Sequence, residues 1–164
     1  MDIPKKIDNT TKEDDTVNIY FLDVGIGDCI IIENNKKFGM IDTGYKYTSK
    51  SVYKFMKKLK IKELEFLIIT HNHANHVGGF DIINKKFKIK KLYIEKARLK
   101  ASEKTGMKAY NSIIKKATKS KTKVKDVAAS GKGSFKMGNI KLKFYSRKKF
   151  KIYDDTVIEI TLIV

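Results

Sequence analysis

Apolar positions along the chain fall into short blocks, some alternating at the two-residue period of a strand and some at the spacing of a helix face. Val17–Val24 reads as a first strand, closed by Asp23 and the turn Gly25-Ile26-Gly27-Asp28. Cys29–Glu33 is mostly continuous and apolar, the pattern of a strand buried on both faces. Asn34-Asn35 is a hairpin signal, Phe38–Ile41 is the returning strand, and Asp42-Thr43-Gly44 ends it with turn chemistry. Thr48 or Ser49 can cap a helix over about Lys50–Leu59, whose apolar stripe is Val52, Phe55, Met56 and Leu59. Leu64–Ile69 is a further buried strand, followed by a histidine-rich loop, Gly78-Gly79 and a helical segment near Phe80–Asn84. Leu92–Glu95 reads as a strand. Lys108–Lys119 reads as a helix with Tyr110, Ile113, Ile114 and Ala117 on one face. Lys123–Val127 is a short strand and Gly131–Gly133 a flexible turn. Phe135–Met137 and Ile140–Tyr145 flank a Gly138-Asn139 hairpin turn. Arg147–Asp155 is a charged loop before a last strand, Thr156–Val164. The order of elements is that of a mixed α/β layered fold in one domain, 16–164, preceded by a polar arm at 1–15.

Composition changes this picture in three ways. The formal net charge is +18, which suits a phosphate-bearing partner, nucleic acid or an anionic surface. Yet only Arg98 and Arg147 are arginine among 36 basic residues, and arginine is the side chain suited to bidentate phosphate recognition. Scattered lysine with abundant Ile and Asn fits compositional bias as well as selected binding. A single cysteine, Cys29, excludes an internal disulfide and reads as a small buried hydrophobe. No apolar run reaches the roughly 18 residues of a membrane span, and the polar start lacks the apolar core of a secretion signal, so a cytoplasmic protein without membrane insertion is expected.

The chemistry concentrates in one place. All three histidines lie in His71-Asn72-His73-Ala74-Asn75-His76, directly after a buried strand. Imidazoles at this spacing cannot share one face of a regular helix, but they can converge on a cation where a strand ends in a tight loop. Imidazole suits zinc and its neighbours. Asp42, at the end of another strand, can hydrogen-bond a ring nitrogen of a ligand histidine and fix its tautomer, or it can be a turn aspartate.

Three segments carry a resemblance. VNIYFLDVGIGDCIII (Val17–Ile32), FGMIDTG (Phe38–Gly44) and LEFLIITHNHANHVGGF (Leu64–Phe80) resemble the opening motifs of the metallo-β-lactamase superfamily. Within it they look most like the hydrolase-like domain of ComEC-type competence (DNA-uptake) proteins and their free-standing relatives. The resemblance implies a four-layer αββα sandwich with one or two metal ions, usually zinc, and hydrolysis by metal-activated water. His71 and His73 match ligands of the first metal, His76 a ligand of the second, and Asp42 the supporting acid. Asp23 and Asp28 match acids of the opening strand-turn pattern, with a structural or supporting role. Asn75 stands where the family signature H-x-H-x-D-H has aspartate. A neutral amide oxygen replaces an anionic ligand there, so one ion or none is expected. The distal ligands of the family find no counterpart before Val164. The expectation is therefore an incomplete sandwich, the N-terminal half to two-thirds, truncated at its C-terminus. Its bare face would self-associate or accept a completing partner. A hydrolase with a partial site and a non-catalytic module that binds nucleic acid or protein are both open.

Overall fold

The computed structural model describes residues 16–94, 104–126, 132–145 and 157–162. The expected arm at 1–15 and the charged loop Arg147–Asp155 lie outside them. The strands are β1 (Val17–Phe21), β2 (Ile30–Asn34), β3 (Lys37–Ile41), β4 (Glu63–Leu64), β5 (Phe66–Ile69), β6 (Lys88–Ile89), β7 (Lys91–Ile94), β8 (Lys123–Asp126), β9 (Lys132–Met137), β10 (Ile140–Tyr145) and β11 (Val157–Leu162). The helices are α1 (Ser49–Lys58), α2 (Ala74–Val77), α3 (Phe80–Lys86) and α4 (Lys104–Lys119).

A six-stranded sheet runs β1-β2-β3-β5-β7-β8. The first three strands are antiparallel neighbours, while β3, β5, β7 and β8 pair in parallel through helical crossovers. The two-residue period decides which side chain goes where. In β5, Leu67 and Ile69 enter the core under the helices, and Phe66 and Ile68 enter the core on the opposite face. The same alternation sends Ile31 and Met40 to the helical side, and Ile32 and Ile41 to the other. α1 brings Val52 and Met56 to the helical core, and α4 brings Tyr110, Ile113 and Ala117, as their spacing predicts. On the far face lies a second sheet, β11-β10-β9, which contributes Met137, Ile140 and Leu142. Phe135 stacks on Tyr93 at 4.8 Å and meets Phe66 edge-on at 4.6 Å. The described residues thus form three layers, helices, sheet and sheet, of the αββα arrangement.

Beside this aromatic cluster, Gly39 pairs in register with Phe66, and a Cβ on Gly39 would collide with the Phe66 ring. Asn34, expected in a turn, is instead the last residue of β2. The turn proper is Asn35-Lys36, both at positive φ, which matches the twist of a tight hairpin. The buried side chain of Asn34 accepts a bond from Asn139 N at 2.6 Å and donates to Thr16 O at 3.3 Å. It thereby pins the β9–β10 turn to the central sheet. Gly138, at φ +58°, fits against it without a side chain.

Other expectations are corrected. Leu64–Ile69 is not one strand. Glu65 lies between two strands: β4 pairs with β6 while β5 joins the central sheet, and Glu65 N donates to Phe38 O of β3. Thr48 stands at the start of α1 but makes no side-chain cap. Its backbone is already helical, so the hydroxyls of Thr48 and Ser49 turn back and donate to the carbonyls of Tyr45 and Lys46. Gly133 is not in a flexible turn but in β9, opposite Phe144.

Candidate metal centre

Parallel pairing of β3 and β5 puts their carboxyl ends side by side, and the antiparallel β2 begins at the same edge. Three loops therefore meet there: residues 22–29 before β2, 42–48 after β3, and 70–79 after β5. Backbone bonds stitch them together. Gly44 N donates to Asp28 O at 2.9 Å, and Asp42 N to Ile68 O at 2.8 Å. The carbonyl of His76 accepts from both Thr43 N (2.7 Å) and Thr43 Oγ1 (2.9 Å). Gly79 N donates to Thr43 Oγ1. Gly27 packs so closely on Asn75 that a Cβ there would strike the Asn75 carbonyl.

The histidine loop is partly helical. His73 is the N-cap of α2, and its carbonyl accepts from His76 N and Val77 N. One turn thus holds His73, exposed, and His76, only 7% exposed, in fixed relation. The half-buried His71 ring lies 3.7 Å from the His76 ring and 4.8 Å from the His73 ring, centroid to centroid. The structure therefore brings His71 against both of the other histidines.

Asp42 organises this cluster from below. Its side chain is fully buried and its backbone takes a positive φ of 53°. Oδ1 accepts from Thr70 N at 2.8 Å, and Oδ2 accepts from Thr70 Oγ1 at 2.5 Å and His76 Nδ1 at 2.8 Å. A buried carboxylate needs such donors, and these satisfy both oxygens. With Nδ1 donating, the lone pair of neutral His76 sits on Nε2, the form a cation takes. Asn75 lies half-buried in the same turn.

Asp28 joins the site more closely than its sequence reading implied. Its carboxylate is 61% exposed and lies 3.7 Å from His76 Nδ1, too far for a hydrogen bond. Ligand atoms of Asp28, Asp42 and His76 all fall within 4.8 Å of one another, a possible metal-binding group among the described residues. Both Asp42 oxygens already accept hydrogen bonds, whereas Asp28 is the exposed carboxylate of the group. The mixed imidazole–carboxylate donor set fits a borderline metal such as zinc. Asp23, by contrast, accepts from Gly25 N at 3.1 Å and serves the turn. Burial raises the Cys29 thiol well above its ordinary range, and the carboxylates of Asp42 and Asp28 push it further. It remains a packed thiol beside the site. Thr70, which no motif singled out, supplies two of the bonds to Asp42.

The sequence profile of the Metallo-beta-lactamase superfamily matches residues 22–149. No curated protein matches the chain in sequence. Among solved structures, a metallo-beta-lactamase with a HARLDQ motif from Cronobacter sakazakii superposes with a TM-score of 0.58 at 13% identity, over 88% of this chain and 55% of that one. The metallo-beta-lactamase fold protein YhfI from Bacillus subtilis gives 0.52 at 14%, over 82% and 50%. The subclass B3 enzyme BJP-1 of Bradyrhizobium japonicum gives 0.51 at 18%, over 86% and 58%. The chain spans about half the length of these structures.

Proposed function

The chain belongs to the metallo-beta-lactamase superfamily, and on that premise we propose that it is a metal-dependent hydrolase domain with a partial metal site. His71, His73 and His76 hold a cation from the β5 side, Asp28 adds a carboxylate, and Asp42 supports the ring of His76 from beneath. The observation that carries this reading is the buried Asp42–His76 bond at the point where three loops converge. Zinc is the metal that suits these donors. When bound, it supplies Lewis-acid polarisation of a carbonyl or phosphoryl oxygen and acidifies water. Asn75 carries no charge to balance a second ion and cannot take up a proton, so occupancy stops at one. Within the superfamily the opening motifs align the chain with the ComEC-type line, and the net charge of +18 favours a phosphodiester substrate.

Native mass spectrometry of the purified chain titrated with zinc tests this. One ion per chain is expected, lost in His76→Ala, with a second ion gained in Asn75→Asp. Zinc-dependent cleavage of a phosphodiester reporter should disappear in His71→Ala. A wild-type chain that takes up no ion, or two with equal affinity, overturns the reading.

The second reading, a binding module without catalysis, draws on the same charge and on the amide at position 75. It predicts salt-sensitive binding to single-stranded DNA that zinc does not alter.

A further inference from the structure

We infer that Thr70 is a positioning residue: its hydroxyl relays the Asp42 carboxylate to His71, so that one buried acid sets the tautomer of two histidines. The inference rests on the metal-site reading above. A threonine hydroxyl has one proton to give and lone pairs to accept with. Thr70 Oγ1 lies 2.5 Å from Asp42 Oδ2 and 3.1 Å from His71 Nδ1. An ionised carboxylate only accepts, so the proton points at Asp42. In the contact with His71 the threonine oxygen is then the acceptor, and His71 Nδ1 carries the hydrogen. The lone pair of neutral His71 is thereby placed on Nε2, as the direct bond to Asp42 does for His76.

Local structure makes the relay stiff. Thr70 directly follows β5, whose four side chains are fully buried, and its own N–H is tied to Asp42 Oδ1. Its branched Cβ restricts χ1. A metal binding here meets two rings already in the ligating tautomer, and the cost of selecting it is not charged against affinity.

Long-range proton–nitrogen correlation on the metal-free protein reads each tautomer directly, at about pH 8, above the ordinary histidine range near 6.5. In the wild type both His71 and His76 should carry hydrogen on Nδ1. In Thr70→Val, His71 should lose that signature while His76 keeps it, and zinc affinity should fall about tenfold. Thr70→Ser should restore both. General loosening of the loop would move both rings together. The idea is overturned if wild-type His71 carries its hydrogen on Nε2, a result that needs no variant. It is equally overturned if Thr70→Val, still folded, leaves the tautomer or the zinc affinity of the wild type. Should the wild type bind no zinc, the metal reading fails by itself, and the tautomer measurement still decides the relay.

Discussion

The β2–β3 hairpin carries a fully buried polar side chain at each end: Asp42 follows β3 at one edge of the sheet, and Asn34 ends β2 at the other. Both are satisfied by hydrogen bonds, and both tie together segments distant in sequence. Their partners differ in kind. Asn34 exchanges bonds with the main chain, at Asn139 N and Thr16 O, and so fixes where a second sheet docks. Asp42 takes bonds from an imidazole, a hydroxyl and one amide. It fixes the state of groups that can themselves bind or react. Burial and satisfaction are common to a staple and to a site. The partners tell them apart: main-chain groups at one end, groups with lone pairs to offer at the other.

The largest effect should follow from Asp42→Ala. It removes the bonds from Thr70 N, Thr70 Oγ1 and His76 Nδ1, and about 3 kcal/mol of stability should be lost in urea unfolding, together with zinc binding. Asn34→Ala should cost about 2 kcal/mol through the lost bonds to Asn139 N and Thr16 O, yet leave zinc affinity unchanged. If zinc affinity fell as steeply in this second variant, the two ends would not be separate, and the comparison would break. The smallest effect belongs to neither end. Glu63 bridges to Lys90 at 2.7 Å and Lys88 at 3.3 Å, and its pKa is lowered chiefly by the bond to Lys90. A lowered carboxyl pKa stabilises above its ordinary value of 4.5 and loses that contribution as pH falls through the lowered value. All three side chains are more than a third exposed, so Glu63→Gln should shift the urea midpoint only slightly at pH 7, less in high salt, and not at all in acid.

How far the sequence shows these features depends on how local their causes are. Strand and helix faces are local. The apolar run Phe66–Ile69 and the stripe Val52, Phe55, Met56 can be read from neighbours alone, and the structure buries the run, Val52 and Met56 and packs the partly buried Phe55 against the core. The clustering of the histidines is local too. What escapes is whatever depends on a distant partner. Asn34 looks like a turn residue because nothing nearby announces Asn139. Asp28 looks like a turn acid because only the antiparallel return of β2 carries it to His76. Thr70 looks like the polar end of an apolar run until Asp42, from another strand, lies beneath it. The run Leu64–Ile69 looks like one strand because nothing nearby announces that its two parts pair with different strands, β4 with β6 and β5 with β3. The superfamily resemblance, now shown by the profile match, conveyed the neighbourhood of Asp42 and the histidines but not these bonds.

The bond between Asn34 and Asn139 spans 105 positions of chain. The β9–β10 hairpin closes over two residues and requires only its own neighbours to form. Docking must wait for a finished receiver. Asn34 is in place once β2 has paired with β3, and Phe66 and Tyr93 once β5 and β7 have found their parallel partners. Pairings between distant segments form slowly. The docking of the second sheet is thus a non-local step that depends on the central sheet, and slowing of folding in Asn34→Ala, read by stopped-flow, is the expected sign that this bond forms before the rate-limiting barrier.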